Sequence, residues 1–92
     1  HAVRCAASQL RQYQKPVLIL YGDTPLIQAR TLERLLDKAS GADVVVLGMR
    51  MADPTGYGRL IVTPTGDLEA IVECRDANAA QKTITLCNSG VM

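Results

Sequence analysis

Histidine is almost absent from this 92-residue sequence, which has only His1. We therefore expect neither a histidine-dependent catalytic triad nor a metal site built from several histidines. Cysteine is scarce as well, and Cys5, Cys74 and Cys87 lie far apart with no Cys-x-x-Cys pair. This pattern argues against a disulfide framework or a zinc site and favours reduced, cytoplasmic thiols. Because no histidine lies near to generate a thiolate, we discount Cys74 and Cys87 as catalytic nucleophiles.

The sequence also lacks an excess of charge and any long hydrophobic run. Ten basic and nine acidic residues give a net charge of +1, which predicts no nucleic-acid partner. No apolar stretch approaches the ~18 residues that a membrane span needs, so no membrane partner is expected. The chain opens on an amphipathic segment, and we therefore expect no signal peptide. A chain of this length accommodates one small domain.

The most informative stretch is the apolar run Val17–Leu20, which ends in Tyr21-Gly22-Asp23. Four bulky apolar residues in a row predict a strand buried on both faces, as in a parallel sheet covered by helices. Gly22 allows the backbone to approach a ligand closely, and Asp23 places a carboxylate just past the strand. Ligands of open α/β sheets bind at this end of a strand.

The segments around this run predict alternating helices and strands. Apolar residues recur at helical spacing in residues 2–13 and again in residues 28–40, where Gly41 provides a stop. Asp43–Met49 then predicts a second buried strand, rich in β-branched residues. Strand, helix and strand in this order predict a right-handed βαβ unit with parallel strands.

The second half of the chain predicts shorter elements. A turn-rich loop at 53–58 precedes a hairpin formed by Arg59–Thr63 and Leu68–Glu73, joined through Pro64-Thr65-Gly66. One or two helical turns at Asp76–Lys82, a strand at Thr83–Cys87 and a turn at 88–90 follow. We predict an α/β fold with three layers, α/β/α, and a mixed, mostly parallel sheet carrying a β-hairpin.

This inventory contains too few strands to cover its own sheet. Long apolar strands would remain as open edges, which natural proteins avoid. Both ends of the sequence also fall inside predicted elements. We therefore expect residues 1–92 to be the central part of one larger domain, with no second domain, or a chain whose sheet a partner completes, including a homodimer through open edges.

Two glycine-containing motifs carry candidate ligand-binding residues. In Tyr21-Gly22-Asp23, the Asp23 carboxylate could hold Mg²⁺, which proteins bind through one or two carboxylates plus substrate phosphates. Alternatively, Asp23 caps its own turn through nearby backbone N–H groups. In Gly56–Arg59, paired glycines allow close approach of the backbone to a ligand, or simply form a loop that enters the hairpin.

Two further motifs place polar side chains at strand ends. Glu73 could accept hydrogen bonds from two sugar hydroxyls, or form an exposed ion pair of negligible energy with an arginine. Asn88 could bind a hydroxyl or an N-acetyl group through its amide, or belong to a turn without a function.

The order of these motifs is more specific than any one of them. Tyr-Gly-Asp-x-Pro-Leu, Asp-Pro-x-Gly-Tyr-Gly-Arg, Ile-Val-Glu-x-Arg-Asp and Asn-x-Gly-Val together resemble the N-acetylglucosamine-1-phosphate uridylyltransferases and, more broadly, the sugar-phosphate nucleotidyltransferases. Here the motifs occupy Tyr21–Leu26, Asp53–Arg59, Ile71–Asp76 and Asn88–Val91. The opening His1-Ala2-Val3 matches the end of the family's Gly-Thr-x-His-Ala-Val segment, so the resemblance covers essentially the whole chain.

The resemblance implies a Rossmann-like pyrophosphorylase domain that joins UTP and N-acetylglucosamine 1-phosphate, giving UDP-N-acetylglucosamine, a bacterial cell-wall precursor, and pyrophosphate. By position, Asp23 resembles the family's catalytic, metal-binding aspartate for Mg²⁺. Tyr21 and Gly22 resemble the family's residues beside the nucleotide. Gly58, Glu73 and Asn88 resemble the contacts that hold the amino sugar. The nucleophile of such a reaction is a phosphate oxygen, already anionic at neutral pH, so no general base is required.

The departures from the family pattern limit what these residues can do alone. The glycine-rich Gly-x-Gly-Thr-Arg-Met loop that cradles the nucleotide phosphates does not occur in the 92 residues, nor does the lysine that follows it. The uracil-contacting residues and the second metal ligand, an asparagine, are likewise outside the sequence. Arg75 replaces a usual lysine. We expect the 92-residue chain alone to be inactive; alternatives are a dimerising interaction module or a related enzyme for another sugar or base.

Overall fold

The computed structural model describes residues 2–92, and His1 lies outside the described residues together with its motif match. We number the elements in chain order. The helices are α1 (Ala2–Cys5), α2 (Ala7–Leu10), α3 (Ala29–Ala39) and α4 (Ala79–Lys82), and the strands are β1 (Gly48–Arg50), β2 (Arg59–Val62), β3 (Leu68–Val72) and β4 (Leu86–Asn88). No helix among residues 2–92 is both long and apolar enough to cross a membrane.

The four strands form one sheet in the order β1-β4-β2-β3. All three neighbouring pairs are antiparallel. Cys87 in β4 lies opposite Met49 on one side and Arg59 on the other, and its side chain is fully buried. The predicted α/β class is therefore confirmed. The mostly parallel sheet that the sequence predicted is not seen among β1–β4, because all of these strands pair antiparallel.

The predicted strand at Val17–Leu20 is not a regular strand in the structure. Ile19 exchanges two backbone hydrogen bonds with Met92, at 2.7 and 3.2 Å, which is an antiparallel pairing of a single residue. Val17 and Leu20 are 42% and 48% exposed rather than buried on both faces. The physical reason is that residues 2–92 supply this segment with a partner along one edge only, and no complete layer covers it.

The second predicted parallel strand is also shortened. The prediction placed this strand at Asp43–Met49, but regular strand structure begins only at Gly48, the first residue of β1. Val44, near the start of the predicted strand, is 63% exposed. Leu47 still contributes to the sheet edge, since it accepts from Ser89 N–H at 3.2 Å and donates to Val91 O at 2.9 Å. The described residues therefore contain no parallel βαβ unit, because neither of its strands has a parallel neighbour there.

The hairpin prediction is confirmed. β2 and β3 pair antiparallel, with Arg59 opposite Val72. Gly66 N–H donates to Thr63 O at 2.9 Å, which closes the β-turn, and Gly66 has a φ of 91°. The pairing register of β2 and β3 shifts between Ile61 and Val62, next to this turn. Such a shift is expected where a left-handed glycine adds a bulge beside a turn.

The predicted helices form with differences in length. The 2–13 helix is divided into two single turns, α1 and α2, whereas α3 closely follows its predicted range and buries Leu35 to 7% exposure. In α4, Asn78 Oδ1 accepts from Gln81 N–H at 2.8 Å and Gln81 Oε1 accepts from Asn78 N–H at 3.0 Å. This reciprocal capping box explains why so short a helix starts at Ala79.

Candidate functional site

A cleft of about 590 Å³ lies between four loops at one end of the sheet. Its volume falls within the range of roughly 300–1,000 Å³ that small-molecule sites occupy. The loops are the 21–24 turn, the 56–58 segment that enters β2, the end of β3 and the turn that follows β4. The lining residues are Tyr21, Asp23, Thr24, Ile27, Leu47, Met49, Gly56, Tyr57, Gly58, Glu73, Asn88, Ser89, Gly90 and Val91.

Five of the six site residues predicted from the sequence line this one cleft: Tyr21, Asp23, Gly58, Glu73 and Asn88. The sixth, Gly22, lies between two of them but does not line the cavity. A β-carbon added to Gly22 would have nothing within 4 Å, so its surroundings are open. The structure thus gathers residues from four separate motifs at one place.

Asp23 lies within a turn that other groups hold in place. Thr24 donates to Tyr21 O through both its backbone N–H, at 3.3 Å, and its hydroxyl, at 2.9 Å. The Asp23 side chain is exposed, and among residues 2–92 its carboxylate takes part in no hydrogen bond or ion pair. The cap that the sequence left open as an alternative role is therefore not formed among the described residues.

Backbone pairing brings Gly58, Glu73 and Asn88 together. Asn88 N–H donates to Gly58 O at 2.8 Å, which extends the β2–β4 pairing into the cleft. A β-carbon added to Gly58 would lie 3.4 and 3.5 Å from the two carboxylate oxygens of Glu73. The absence of a side chain at position 58 therefore leaves the Glu73 carboxylate directly against the backbone at the cleft wall.

The Asn88 amide has a defined orientation. Its Oδ1 accepts from Gly90 N–H at 2.9 Å, which is an Asx turn. The oxygen is therefore engaged, while the Nδ2 group forms no hydrogen bond within the described residues. An amide held in this way presents donors rather than acceptors to a ligand.

Ser89 and Gly90 complete this turn. Ser89 Oγ donates to Leu47 O at 2.6 Å and accepts from Val91 N–H at 3.2 Å, so it links the turn to the segment before β1. Gly90 has a φ of 81°, a region that residues with a side chain rarely adopt. The hydrogen bonds of the Ser89 hydroxyl and the left-handed backbone of Gly90 therefore both hold the turn that orients Asn88.

The loop before β2 forms another wall. Asp53 Oδ1 accepts from Thr55 N–H at 3.0 Å, and hydrogen bonding from Thr55 lowers the pKa of the exposed Asp53 carboxyl. Tyr57 N–H donates to Pro54 O at 3.1 Å, and Gly56 has a φ of 85°. Local hydrogen bonds therefore shape the loop that presents Gly58 to the cleft.

Several lining residues were not predicted from the sequence. They are Thr24, Ile27, Leu47, Met49, Gly56, Tyr57, Ser89, Gly90 and Val91. Tyr57, Ser89 and Gly90 lie inside motifs that were recognised, and a glycine after Asn-Ser is itself a turn signal. Leu47 and Met49 have the appearance of ordinary strand residues, and no signal in the sequence points to their position in the cleft.

The donor chemistry of the cleft suits a hard cation only in part. Among residues 2–92 no group of three or more histidine, cysteine or acidic side chains is arranged to hold a metal ion. Asp23 and Glu73 are the two carboxylates of the cleft. Mg²⁺ is commonly bound by one or two carboxylates with the remaining positions taken by water and substrate phosphates. The residues present therefore fit an ion shared with a phosphorylated ligand.

The sequence of this chain is similar to those of several known proteins. The chain is 57% identical to the bifunctional protein GlmU of Rhodospirillum rubrum over 95 residues, 54% identical to that of Paramagnetospirillum magneticum over 95 residues, and 50% identical to that of Ruegeria sp. over 92 residues. These alignments cover 100% of this chain but only 20–21% of each relative, so the chain spans about a fifth of their length.

A family model gives a matching result. Residues 1–87 match the model of the MobA-like NTP transferase domain. The resemblance to nucleotidyltransferases that the order of the motifs predicted is thereby confirmed. The chain belongs to the family of MobA-like NTP transferase domains.

Proposed function

We propose that residues 1–92 form the central part of one nucleotidyltransferase domain that transfers a uridylyl group from UTP to N-acetylglucosamine 1-phosphate. The products are UDP-N-acetylglucosamine and pyrophosphate. The single observation that carries this proposal is the shared cleft lined by Asp23, Gly58, Glu73 and Asn88. The name GlmU of the relatives and the nucleotidyltransferase family support the same reaction class over a purely structural interaction module.

The sugar side of the cleft has a simple chemical logic. The Glu73 carboxylate is exposed and has two oxygens that accept hydrogen bonds from neighbouring sugar hydroxyls. The Asn88 Nδ2 group donates to the carbonyl oxygen of the N-acetyl group or to a hydroxyl, since its Oδ1 is engaged by Gly90. Gly58 leaves room for the ring beside Glu73.

The nucleotide side consists of Tyr21, Gly22 and Asp23. We assign Asp23 as the residue that holds Mg²⁺, which when bound neutralises negative charge on the reacting phosphates. Tyr21 and Gly22 lie beside the nucleotide, where the open space over Gly22 accommodates it. The attacking phosphate oxygen is already anionic at neutral pH, so the cleft requires no histidine as a base.

The complete domain is proposed to have the three-layer, mostly parallel sheet of a Rossmann-like nucleotidyltransferase. The unpaired edge at Val17–Leu20 supports this, because its outer backbone groups have no partner within residues 2–92. The glycine-rich phosphate loop does not occur in the 92 residues, and we expect the chain alone to be inactive. A cytoplasmic location belongs to the same proposal, since UTP is a cytoplasmic substrate.

Two parts of the proposal remain separate from the reaction itself. The exposed edges would allow a homodimer, which light scattering at several protein concentrations would detect. The alternative to the proposed substrates is a related nucleotidyltransferase that uses another sugar or base. The sequence leaves this open because the residues that contact uracil in the family are not within it. Competition between UTP and other nucleoside triphosphates in an activity assay would distinguish these substrates.

A chimeric enzyme tests the reaction. We would replace the matching segment of Rhodospirillum rubrum GlmU by this chain and measure pyrophosphate release from UTP and N-acetylglucosamine 1-phosphate. We expect activity in the chimera and a loss of about 100-fold or more on Asp23→Asn, in line with the removal of a charged group that acts on the transition state. Asp37→Asn on the exposed part of α3 is the control. Equal activity of the Asp23 variant would refute the assignment.

A further inference from the structure

A buried arginine follows directly after the 56–58 wall of the cleft. Arg59 is the first residue of β2 and is only 2% exposed. It lies opposite Val72 in β3 on one side and opposite Cys87 in β4 on the other, so its backbone is held inside the sheet. Arg59 is not among the residues that line the cleft, and it therefore acts on a bound ligand only through its neighbours.

The guanidinium bridges two backbone carbonyl groups from different parts of the chain. Arg59 Nη1 donates to Tyr57 O in the loop before β2, and Nη2 donates to Lys82 O at the end of α4, at 3.4 Å. The last carbonyl groups of a helix lack partners within it and suit a cationic donor. The capping box of Asn78 and Gln81 fixes the start of this short helix. Arg59 thus connects the Tyr57 carbonyl to a helix that local contacts already hold in place.

This bridge is a poor source of stability. Arg59 Nε is buried and has no hydrogen-bond acceptor within residues 2–92. In the same part of the chain no carboxylate forms an ion pair with Arg59, and both carbonyl acceptors are neutral. A buried charge held by neutral groups alone is costly, and an apolar side chain of similar volume is often neutral or stabilising at such a position. The main contribution of Arg59 is therefore the direction in which it holds the Tyr57 carbonyl.

The direction of this carbonyl also sets the direction of the Gly58 N–H. Tyr57 O and Gly58 N–H belong to one planar trans peptide unit, so they point in opposite directions. Because the oxygen is held towards Arg59, the N–H points away from it. Gly58 is buried, and its N–H has no acceptor within the described residues. A buried donor without a partner favours an acceptor from a ligand.

The peptide unit on the other side of Gly58 is fixed by a different contact. Gly58 O accepts from Asn88 N–H at 2.8 Å. A glycine has more rotational freedom about φ and ψ than any other residue, so its peptide units need support from outside. Arg59 supplies this support before Gly58, and Asn88 supplies it after Gly58.

We infer that Arg59 is a positioning residue for the sugar phosphate, because it orients the Tyr57–Gly58 peptide so that the Gly58 N–H meets an acceptor oxygen of the ligand. The inference rests on the proposed function, in which Gly58 contacts the sugar. Arg59 acts through Tyr57 and does not contact the ligand itself. Loss of the guanidinium leaves the same residues around the cleft but allows this peptide to rotate.

Kinetics of the chimeric enzyme test the positioning role. In Arg59→Met we expect KM for N-acetylglucosamine 1-phosphate to rise about fivefold or more, as on loss of one oriented hydrogen bond, with KM for UTP changed by less than about twofold. Arg59→Lys retains a donor for Tyr57 O and should recover part of the loss. Arg50→Met removes an exposed arginine at the end of β1 and is the matched control, which should change neither KM. An unchanged KM for the sugar phosphate in Arg59→Met would overturn the inference.

Unfolding of the same variants separates positioning from a purely structural role. We expect the urea midpoint of Arg59→Met to equal or exceed that of the unaltered chimera, because an unbranched apolar side chain replaces a buried charge. A large fall in this midpoint, combined with a normal KM for the sugar phosphate in a folded Arg59→Lys, would assign Arg59 to stability alone and refute the inference.

An orientation measurement on the 92-residue chain is independent of activity. Residual dipolar couplings report the direction of the Gly58 N–H relative to β2 and β3. We expect the Gly58 coupling to change in Arg59→Met and to return towards its original value in Arg59→Lys, while the couplings of Leu60–Val62 stay constant. An unchanged Gly58 coupling in Arg59→Met would contradict the role of Arg59. If the unaltered chimera releases no pyrophosphate, the proposed function fails, whereas this measurement still decides whether Arg59 orients the peptide.

Discussion

The aromatic ring of Tyr21 lies against the backbone of Gly90, so close that a β-carbon added to Gly90 would collide with Tyr21 Cε2. This contact joins the turn that contains Asp23 to the turn that orients Asn88. Because the two turns are far apart in the sequence, the shape of the cleft depends on a glycine that permits the ring to approach.

Gly90→Ala should therefore destabilise the chain. The new β-carbon must displace Tyr21, and alanine must adopt a φ of 81°, so we expect a loss of roughly 1–3 kcal/mol in the free energy of unfolding. Urea unfolding monitored by circular dichroism measures it. Gly41→Ala is the matched control, since a β-carbon there has nothing within 4 Å and should leave stability unchanged or slightly raised. Equal effects of both changes would contradict the close packing.

Asn88→Asp separates ligand binding from folding. Aspartate retains the oxygen that accepts from Gly90 N–H but loses the Nδ2 donor and adds a negative charge next to an anionic substrate. In the chimeric enzyme we expect KM for N-acetylglucosamine 1-phosphate to rise at least about tenfold, with stability changed by less than about 0.5 kcal/mol. Asn88→Ala, which also removes the acceptor, should lower stability as well. A KM that is unchanged in Asn88→Asp would show that Nδ2 does not contact the sugar.

Gly58→Ala should act on the substrate more than on the fold. The added β-carbon would lie 3.4 Å from Glu73 Oε1, which is ordinary contact, so we expect a stability change below about 1 kcal/mol. It occupies the space beside the carboxylate that we assign to sugar binding. The measurable result in the chimera is a raised KM for the sugar phosphate with a KM for UTP close to the original. A rise in KM for UTP alone would show that the sugar binds elsewhere.

The 53–58 loop should respond to acid only at low pH. The hydrogen bonds from Thr55 lower the pKa of Asp53 below its ordinary value of 3.8. The stabilisation that they provide is therefore complete above pH 3.8 and is lost as the pH falls through the lowered pKa of the folded state. The Thr55 amide resonance followed by NMR should shift in that range alone. Asp53→Asn keeps an acceptor oxygen and should abolish the shift; a transition above pH 5 would contradict this assignment.

Local chemistry explains which elements could be predicted from the sequence. The hairpin, α3 and the capped α4 depend on turn residues, helical spacing and capping groups that lie within a few positions of one another. The order of four short motifs also identified the nucleotidyltransferase family, and with it five residues that line the cleft. These features could be read directly because each is encoded by neighbouring residues.

Only the tertiary structure decided how the apolar segments pair. Val17–Leu20 has the composition of a buried parallel strand, yet within residues 2–92 only Ile19 is paired, antiparallel to Met92. Pairing direction and burial depend on which distant segments lie alongside, and composition carries no information about them. For the same reason the sequence could not indicate that Tyr21 lies against Gly90, or that Asn88 N–H donates to Gly58 O.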